Sequence, residues 1–113
     1  MPDTLPLLKG TLDVLVLKAL SWTPMHGFEI TSWLEGRSGG ALGVQDSALY
    51  QALHRLEERG LAAAEWGVTE NNQRARYYRL TKAGRAHLAA ETRQWVRYAE
   101  TVTGILTTTA GPA

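Results

Sequence analysis

The 113-residue sequence contains no cysteine. Disulfide bonds, a thiolate nucleophile and cysteine-ligated zinc are therefore excluded, and the chain suits a reducing compartment. The three histidines, His26, His54 and His87, show no spacing typical of a metal site. We expect a cytoplasmic protein without a metal or another cofactor.

Long apolar runs are also absent. The longest, residues 14–17, falls far short of the roughly 20 residues that a membrane helix needs, and the N-terminus lacks the basic start of a signal peptide. The length suits one domain, because barrel and doubly wound enzyme folds need roughly 200 residues. Residues 36–40 match the G-x-S-x-G pattern of hydrolases, but there is no room for the parallel sheet that this pattern requires. We expect no membrane partner and no enzymatic activity.

Positive and negative charges almost cancel over the whole chain, which has a net charge of +1, but they are unevenly distributed. Residues 1–46 contain three basic and five acidic side chains, whereas residues 47–85 contain seven basic and four acidic ones. The positive excess therefore lies in the middle third, where an anionic partner would bind. A solvated basic face explains this excess equally well.

The periodicity of apolar residues predicts a mainly α-helical chain with a small β-hairpin. Thr23-Pro24 and Thr81 are the expected starts of the second and fourth helices, and Gly60 is the expected end of the third. The predicted elements are a helix at 8–21, a helix from 24 to about 35, a glycine-rich loop at 36–46, a helix from 46 or 47 to about 60, strands at 61–69 and 74–81, and a helix reaching about 106.

The last helix is expected to mediate dimerisation. Its apolar and small residues recur at alternating spacings of four and three, which is a heptad pattern. About 25 helical residues span about 37 Å, longer than so small a core requires. The first helix is apolar on most sides and also needs a cover. We therefore expect a homodimer whose contacts are made by Leu12, Leu88, Trp95, Ala99, Val102 and Leu106.

The order of helix, helix, loop, helix and hairpin is typical of a winged helix-turn-helix, here with a dimerisation helix appended. The third helix buries one face, and its other face carries side chains that can reach base edges in a major groove. These candidate DNA-binding residues are Ser47, Tyr50, Gln51 and His54. A solvated amphipathic helix remains the alternative.

The hairpin supplies further candidates. Arg74 and Arg76 alternate along one strand, so both point to the same face near a tip that contains Asn71 and Asn72. Such a tip can bind phosphates or enter the minor groove, although paired arginines also protect a solvated strand edge. Arg79, deeper in the strand, is expected to pair with Glu65 or another acid. The predicted domains are a DNA-binding unit, residues 1–82, and a dimerisation helix with a flexible tail, residues 83–113.

Four stretches together resemble the PadR family of bacterial transcriptional regulators: 9–12 (KGTL), 26–30 (HGFEI), 48–61 (ALYQALHRLEERGL) and 76–84 (RYYRLTKAG). The resemblance covers about residues 7–90 and implies a dimeric winged-helix repressor. By motif, Tyr50 is the DNA-facing tyrosine, Ser47 lies at the start of its helix, and residues 71–76 form the wing. Gln51 stands where the family usually has proline. The single C-terminal helix resembles the smaller subfamily, which has no separate effector domain.

The resemblance also implies a candidate effector-binding residue. Some small members of the family bind planar aromatic or hydrophobic compounds between the C-terminal helices through a tryptophan, and Trp95 lies at that place; packing in the dimer core is its alternative role. We expect a sequence-specific DNA-binding regulator, a ligand-responsive repressor acting as a homodimer on a pseudo-palindromic operator of double-stranded DNA. The alternative is a dimeric winged-helix module that binds protein and not DNA.

Overall fold

The structure is a computed structural model that describes residues 5–112. Residues 1–4 and residue 113, at the outer ends of the two predicted domains, lie outside this range. Within it the chain forms four helices and one two-stranded antiparallel sheet, which confirms the predicted order and the mainly helical fold. The elements are α1 (Thr11–Leu20), α2 (Gly27–Arg37), α3 (Asp46–Glu58), β1 (Ala62–Val68), β2 (Arg74–Leu80) and α4 (Lys82–Leu106).

The core lies between α1, α2 and α3, with the hairpin closing one side. Each helix contributes apolar residues at helical spacing, as the sequence predicts. The largest fully buried side chains are Val16, Leu17, Leu20, Ile30, Leu49, Leu53 and Leu56. Leu12 also belongs to this core, where it is only 8% exposed. Its place in the dimer contact stays a prediction, although a side chain this buried in its own chain has little surface to offer a partner.

The start of α2 differs from the sequence prediction. Met25 forms a β-bridge with Tyr78: its N–H donates to the Tyr78 carbonyl at 3.0 Å, and the Tyr78 N–H donates back at 2.8 Å. This bridge holds residues 23–25 beside the hairpin, so α2 begins at Gly27 and not at Pro24. His26 is the N-cap, with Nδ1 accepting from the Glu29 N–H at 3.4 Å and a Glu29 carboxylate oxygen accepting from the His26 N–H at 3.1 Å. This reciprocal pair is a capping box.

The start of α4 agrees with the prediction. Thr81 Oγ1 accepts from the Gly84 N–H at 2.9 Å and donates to the Gly60 carbonyl at 2.7 Å, so one side chain caps α4 and ties it to the end of α3. Gly60 has a φ of 71°, the left-handed conformation expected at the residue that ends a helix. The first half of α4 packs against α1 and β2, whereas Ile105 and Leu106 at its far end are exposed. No helix in the described range is long and apolar enough to cross a membrane.

Candidate nucleic-acid interface

The outer face of α3 carries all four side chains that the sequence singles out. Ser47, Tyr50, Gln51 and His54 are exposed and share one face, because they are spaced by three and four residues, while the leucines of α3 lie in the core. Tyr50 is 55% exposed. His54 Nε2 lies 2.9 Å from a carboxylate oxygen of Glu58, one turn further along. The helix therefore presents a polar, hydrogen-bonding surface to solvent.

Tyr50 lies against the first turn of α2. A Cβ atom at Gly27 would be 2.9 Å from the Tyr50 hydroxyl oxygen and 3.4 Å from a methyl group of Leu49, so a glycine is what permits this approach. The contact fixes the direction of the phenol ring relative to α2. The neighbouring Phe28, a residue that the sequence pattern does not single out, is 77% exposed beside it.

The hairpin arginines make different contacts. Arg74 and Arg76 lie on the same face of β2, as predicted, and that face is directed towards α3. Arg76 Nη2 donates to Glu57 Oε2 at 2.8 Å, so this guanidinium is paired with an acid of α3. The expectation that Arg79 pairs with Glu65 or another acid is wrong, since no carboxylate in residues 5–112 lies within ion-pair distance of Arg79.

Arg74 lies over an aromatic ring. Its guanidinium carbon is 4.6 Å from the centroid of the Trp66 indole, and Trp66 is 60% exposed. The two residues are diagonal neighbours across the strands, because Trp66 faces Arg76 and Val68 faces Arg74. Trp66 is not among the candidate residues that the sequence singles out. The alternation of side chains along β1 could have predicted that Trp66 lies on the same face of the hairpin as the two arginines.

The tip of the hairpin exposes two neutral amides, those of Asn71 and Asn72. Asn72 has a φ of 59°, which asparagine tolerates better than most residues. Its N–H donates to the Thr69 carbonyl at 2.9 Å, and the Thr69 N–H donates to the Gln73 carbonyl at 2.8 Å. These bonds close the turn and leave both amide side chains directed away from the core.

The N-terminus of α2, α3 and the hairpin enclose one concave surface of about 610 Å³. We call it the reading cleft. It combines aromatic, amide and basic side chains, which can stack on or donate to a nucleic acid. Its lining residues include Phe28, Tyr50, Trp66, Gln73, Arg74 and Arg76.

A second ion pair holds α3 against α1. Arg55 donates twice to Asp13, from Nη2 to Oδ1 at 2.7 Å and from Nε to Oδ2 at 3.2 Å. The hydrogen bond to this carboxylate raises the pKa of Arg55 above its ordinary value. The two residues are 42 positions apart, so no local sequence pattern reveals the pair. It joins α1 to the helix that supplies Tyr50 to the reading cleft.

Five of the six predicted dimerisation residues lie along α4, and none of the six lines the reading cleft. Leu88, Ala99 and Val102 are half-buried, whereas Trp95 and Leu106 are exposed. Trp95 stacks against Tyr98, with ring centroids 6.3 Å apart. A groove of about 500 Å³ runs between α1 and α4, and its walls are mainly Val14, Leu15, Leu88 and Trp95. This side of the chain therefore presents an apolar surface without a cover.

Comparison with known proteins identifies the family. The sequence profile described as the transcriptional regulator PadR-like family matches residues 16–90. The chain belongs to this family. The transcriptional regulator Rv3488 of Mycobacterium tuberculosis is 39% identical over 87 residues, which are 77% of this chain and 78% of that protein.

Solved structures support the assignment of the PadR-like fold. The smu.1704 protein of Streptococcus mutans superposes with a TM-score of 0.82 at 25% identity, covering 96% of this chain and 98% of that one. A PadR family transcriptional regulator from Eggerthella lenta superposes with a TM-score of 0.75 at 31% identity, covering 88% and 85%. The chain is thus a PadR-like transcriptional regulator with a winged-helix fold, and the family consists of regulators and not of enzymes.

Proposed function

We propose that this PadR-like regulator binds a pseudo-palindromic DNA operator as a homodimer and represses transcription. The observation that carries the proposal is the reading cleft, in which Tyr50, from the polar face of α3, and the basic face of the hairpin line one surface. A helix with one buried leucine face and one polar face can enter a major groove about 12 Å wide. A DNA target also implies a cytoplasmic location.

The side chains of α3 suit direct contact with DNA. Gln51 can bond adenine through two hydrogen bonds, and His54 lies one turn further along the same exposed face. Ser47 and Tyr50 carry hydroxyl groups that can reach phosphate oxygens or base edges. On the hairpin, Asn71, Asn72 and Arg74 would contact the backbone or the minor groove beside the site. Arg76 would contribute less charge than expected, because Glu57 already pairs with it.

Dimerisation would bring two reading clefts onto one duplex. The groove between α1 and α4 and the exposed apolar side chains of α4, among them Val96, Ile105 and Leu106, are surfaces that a second copy can cover. In this arrangement residues 1–82 bind DNA and residues 83–113 hold the dimer together. Two-fold symmetry then predicts half-sites one duplex turn apart, at about 34–36 Å.

An effector would act at the same contact between the two copies, which we call the seam. Trp95 is 43% exposed and lines the groove between α1 and α4, so a planar aromatic or hydrophobic compound can stack on its indole. Such a ligand would change the angle between the two copies and therefore the separation of the two α3 helices. Both halves must engage DNA together, so a small change in separation lowers affinity.

Charge reversal on the hairpin tests the proposal. Arg74→Glu with Arg76→Glu is expected to weaken operator binding at least tenfold, since each DNA contact typically contributes about 1–3 kcal/mol. The matched control is Arg37→Glu with Arg79→Glu, which changes the net charge equally at exposed positions outside the reading cleft. The operator is first selected from a random pool of duplexes, and affinity is measured by fluorescence anisotropy at fixed salt. Dimer content is checked by sedimentation.

Two outcomes would contradict the proposal. If both double variants bind the selected duplex equally well, the hairpin does not contact DNA. If the wild-type dimer selects no duplex at all, the alternative of a dimeric module that binds protein is favoured. Ala99→Glu provides a separate test of dimerisation, because a buried charge at the seam should convert the protein to monomers and abolish tight binding.

A further inference from the structure

We propose that Trp66 positions Arg74 for insertion into the DNA minor groove, so that the hairpin selects A·T-rich sequence beside the site read by α3. The inference rests on the proposed function and adds a specificity-determining pair to it. Arg74 would be the side chain that touches DNA. Trp66 would be a positioning residue that acts through it.

The first argument is the geometry of the pair. The Arg74 guanidinium lies 4.6 Å from the Trp66 ring centroid, on the face of the hairpin that also carries Arg76 and its ion pair with α3. A guanidinium stacked on a ring keeps its N–H edges available for hydrogen bonds. The stack therefore restricts the rotamers of Arg74 without consuming its donors, and less conformational entropy is lost when it binds.

The second argument is the distribution of charge on this face. Glu57 accepts from Arg76 at 2.8 Å, whereas no carboxylate in residues 5–112 lies within ion-pair distance of Arg74. The face therefore presents one unneutralised cation, supported by the exposed Trp66 and Val68. A phosphate clamp gains from several cations and needs no apolar support. A single arginine with apolar neighbours fits the narrow minor groove of A·T tracts, whose negative potential attracts arginine.

The first experiment measures the contribution of the indole. Trp66→Leu keeps an apolar side chain but removes the π face, and we expect it to bind the selected operator about two- to fivefold more weakly than wild type. Trp66→Phe, which restores an aromatic ring, should recover part of the loss. The matched control is Trp22→Leu, because Trp22 is 63% exposed and holds Lys18 Nζ 4.8 Å over its ring, outside the reading cleft. Thermal melting confirms that all variants fold.

A second experiment tests the minor groove itself. Replacing adenine by diaminopurine in the flanks of the operator adds an amino group to the minor groove and leaves the major-groove edge unchanged. Wild type should bind this duplex at least threefold more weakly than the unmodified one, since an arginine in the groove would meet the added group. For Trp66→Leu the ratio of the two affinities should fall by at least half. Arg74→Ala should show no discrimination.

The outcomes separate this inference from the proposed function. If wild type binds the operator but Trp66→Leu behaves like Trp22→Leu on both duplexes, the inference is overturned and DNA binding stands. If Trp66→Leu weakens binding equally on both duplexes, Arg74 contacts phosphate, and the minor-groove assignment is overturned. A wild-type dimer that binds no duplex overturns both. A double-mutant cycle between Trp66→Leu and Arg74→Ala should show coupling, and additive effects would refute the positioning role.

Discussion

Gly84, in the first turn of α4, provides a stringent test of how the proposed dimerisation helix is attached. A Cβ atom at this position would lie 2.8 Å from Leu80 Cδ1, 3.0 Å from the Leu61 carbonyl carbon and closer still to its oxygen. Non-bonded carbon atoms normally stay about 3.5–4.0 Å apart. The Leu61 oxygen cannot withdraw freely, because it accepts from the Thr81 N–H at 3.1 Å. Gly84→Ala must therefore displace α4 from the hairpin.

The magnitude follows from two opposing effects. Replacing glycine by alanine inside a helix ordinarily stabilises a protein by about 0.5–1 kcal/mol. Overpacking against backbone costs typically about 1–3 kcal/mol and occasionally more. Here the clash dominates, so we expect a net loss of about 1–2 kcal/mol, or about 4–8 °C in Tm at roughly 4 °C per kcal/mol. Gly104→Ala is the control, because nothing lies within 4 Å of a Cβ at that position of the same helix.

The assay is thermal and urea denaturation of both variants at one protein concentration, since the proposed dimerisation would make Tm depend on concentration. Gly104→Ala should be as stable as wild type or more so, and Gly84→Ala clearly less stable. If the two substitutions have the same effect, the close approach of α4 to Leu61 is not a feature of the protein in solution, and the reasoning fails.

Three further predictions concern the reading cleft and the seam. Tyr50→Ala should weaken operator binding by about 1–3 kcal/mol with little change in Tm, as expected for an exposed contact, and a large fall in Tm would instead assign Tyr50 to the core. Glu57→Gln should release Arg76 to neutralise about one more phosphate. The slope of log affinity for non-specific duplex against log salt concentration should therefore become steeper by about one, and a slope equal to that of Glu35→Gln would refute the release. Titration of wild type and Trp95→Ala with flat aromatic compounds should give different changes in tryptophan fluorescence, and identical changes would exclude Trp95 from the ligand site.

Local patterns predicted the elements that depend on local chemistry. The leucine stripe of α3, the Thr81 cap and Gly60 each involve residues within one or two turns of the element concerned, and the structure confirms all three. The Thr23-Pro24 start of α2 failed for a non-local reason. The bridge from Met25 to Tyr78 joins segments 53 positions apart, and its two hydrogen bonds outweigh a favourable cap sequence.

The site was predicted less completely than the fold. The outer face of α3 could be inferred because one helix determines it. The partners of the arginines could not, since each pair joins two elements: Arg55 reaches Asp13 on α1, and Arg76 reaches Glu57 on α3. Composition shows that acids and bases are present in similar number, but their pairing depends on tertiary packing.

The two ion pairs of α3 determine its orientation more than its stability. Both are partly exposed, so each contributes at most about 1 kcal/mol, whereas truncating a buried leucine such as Leu53 typically costs about 2–5 kcal/mol. The apolar core therefore holds α3 in place. The ion pairs bind it on one side to α1 and on the other to the hairpin, which limits rotation about its axis. Since α1 packs against both α3 and α4, a movement of α4 can be transmitted through α1 to α3, so in the proposed dimer a change in the angle between the two α4 helices would shift the reading cleft.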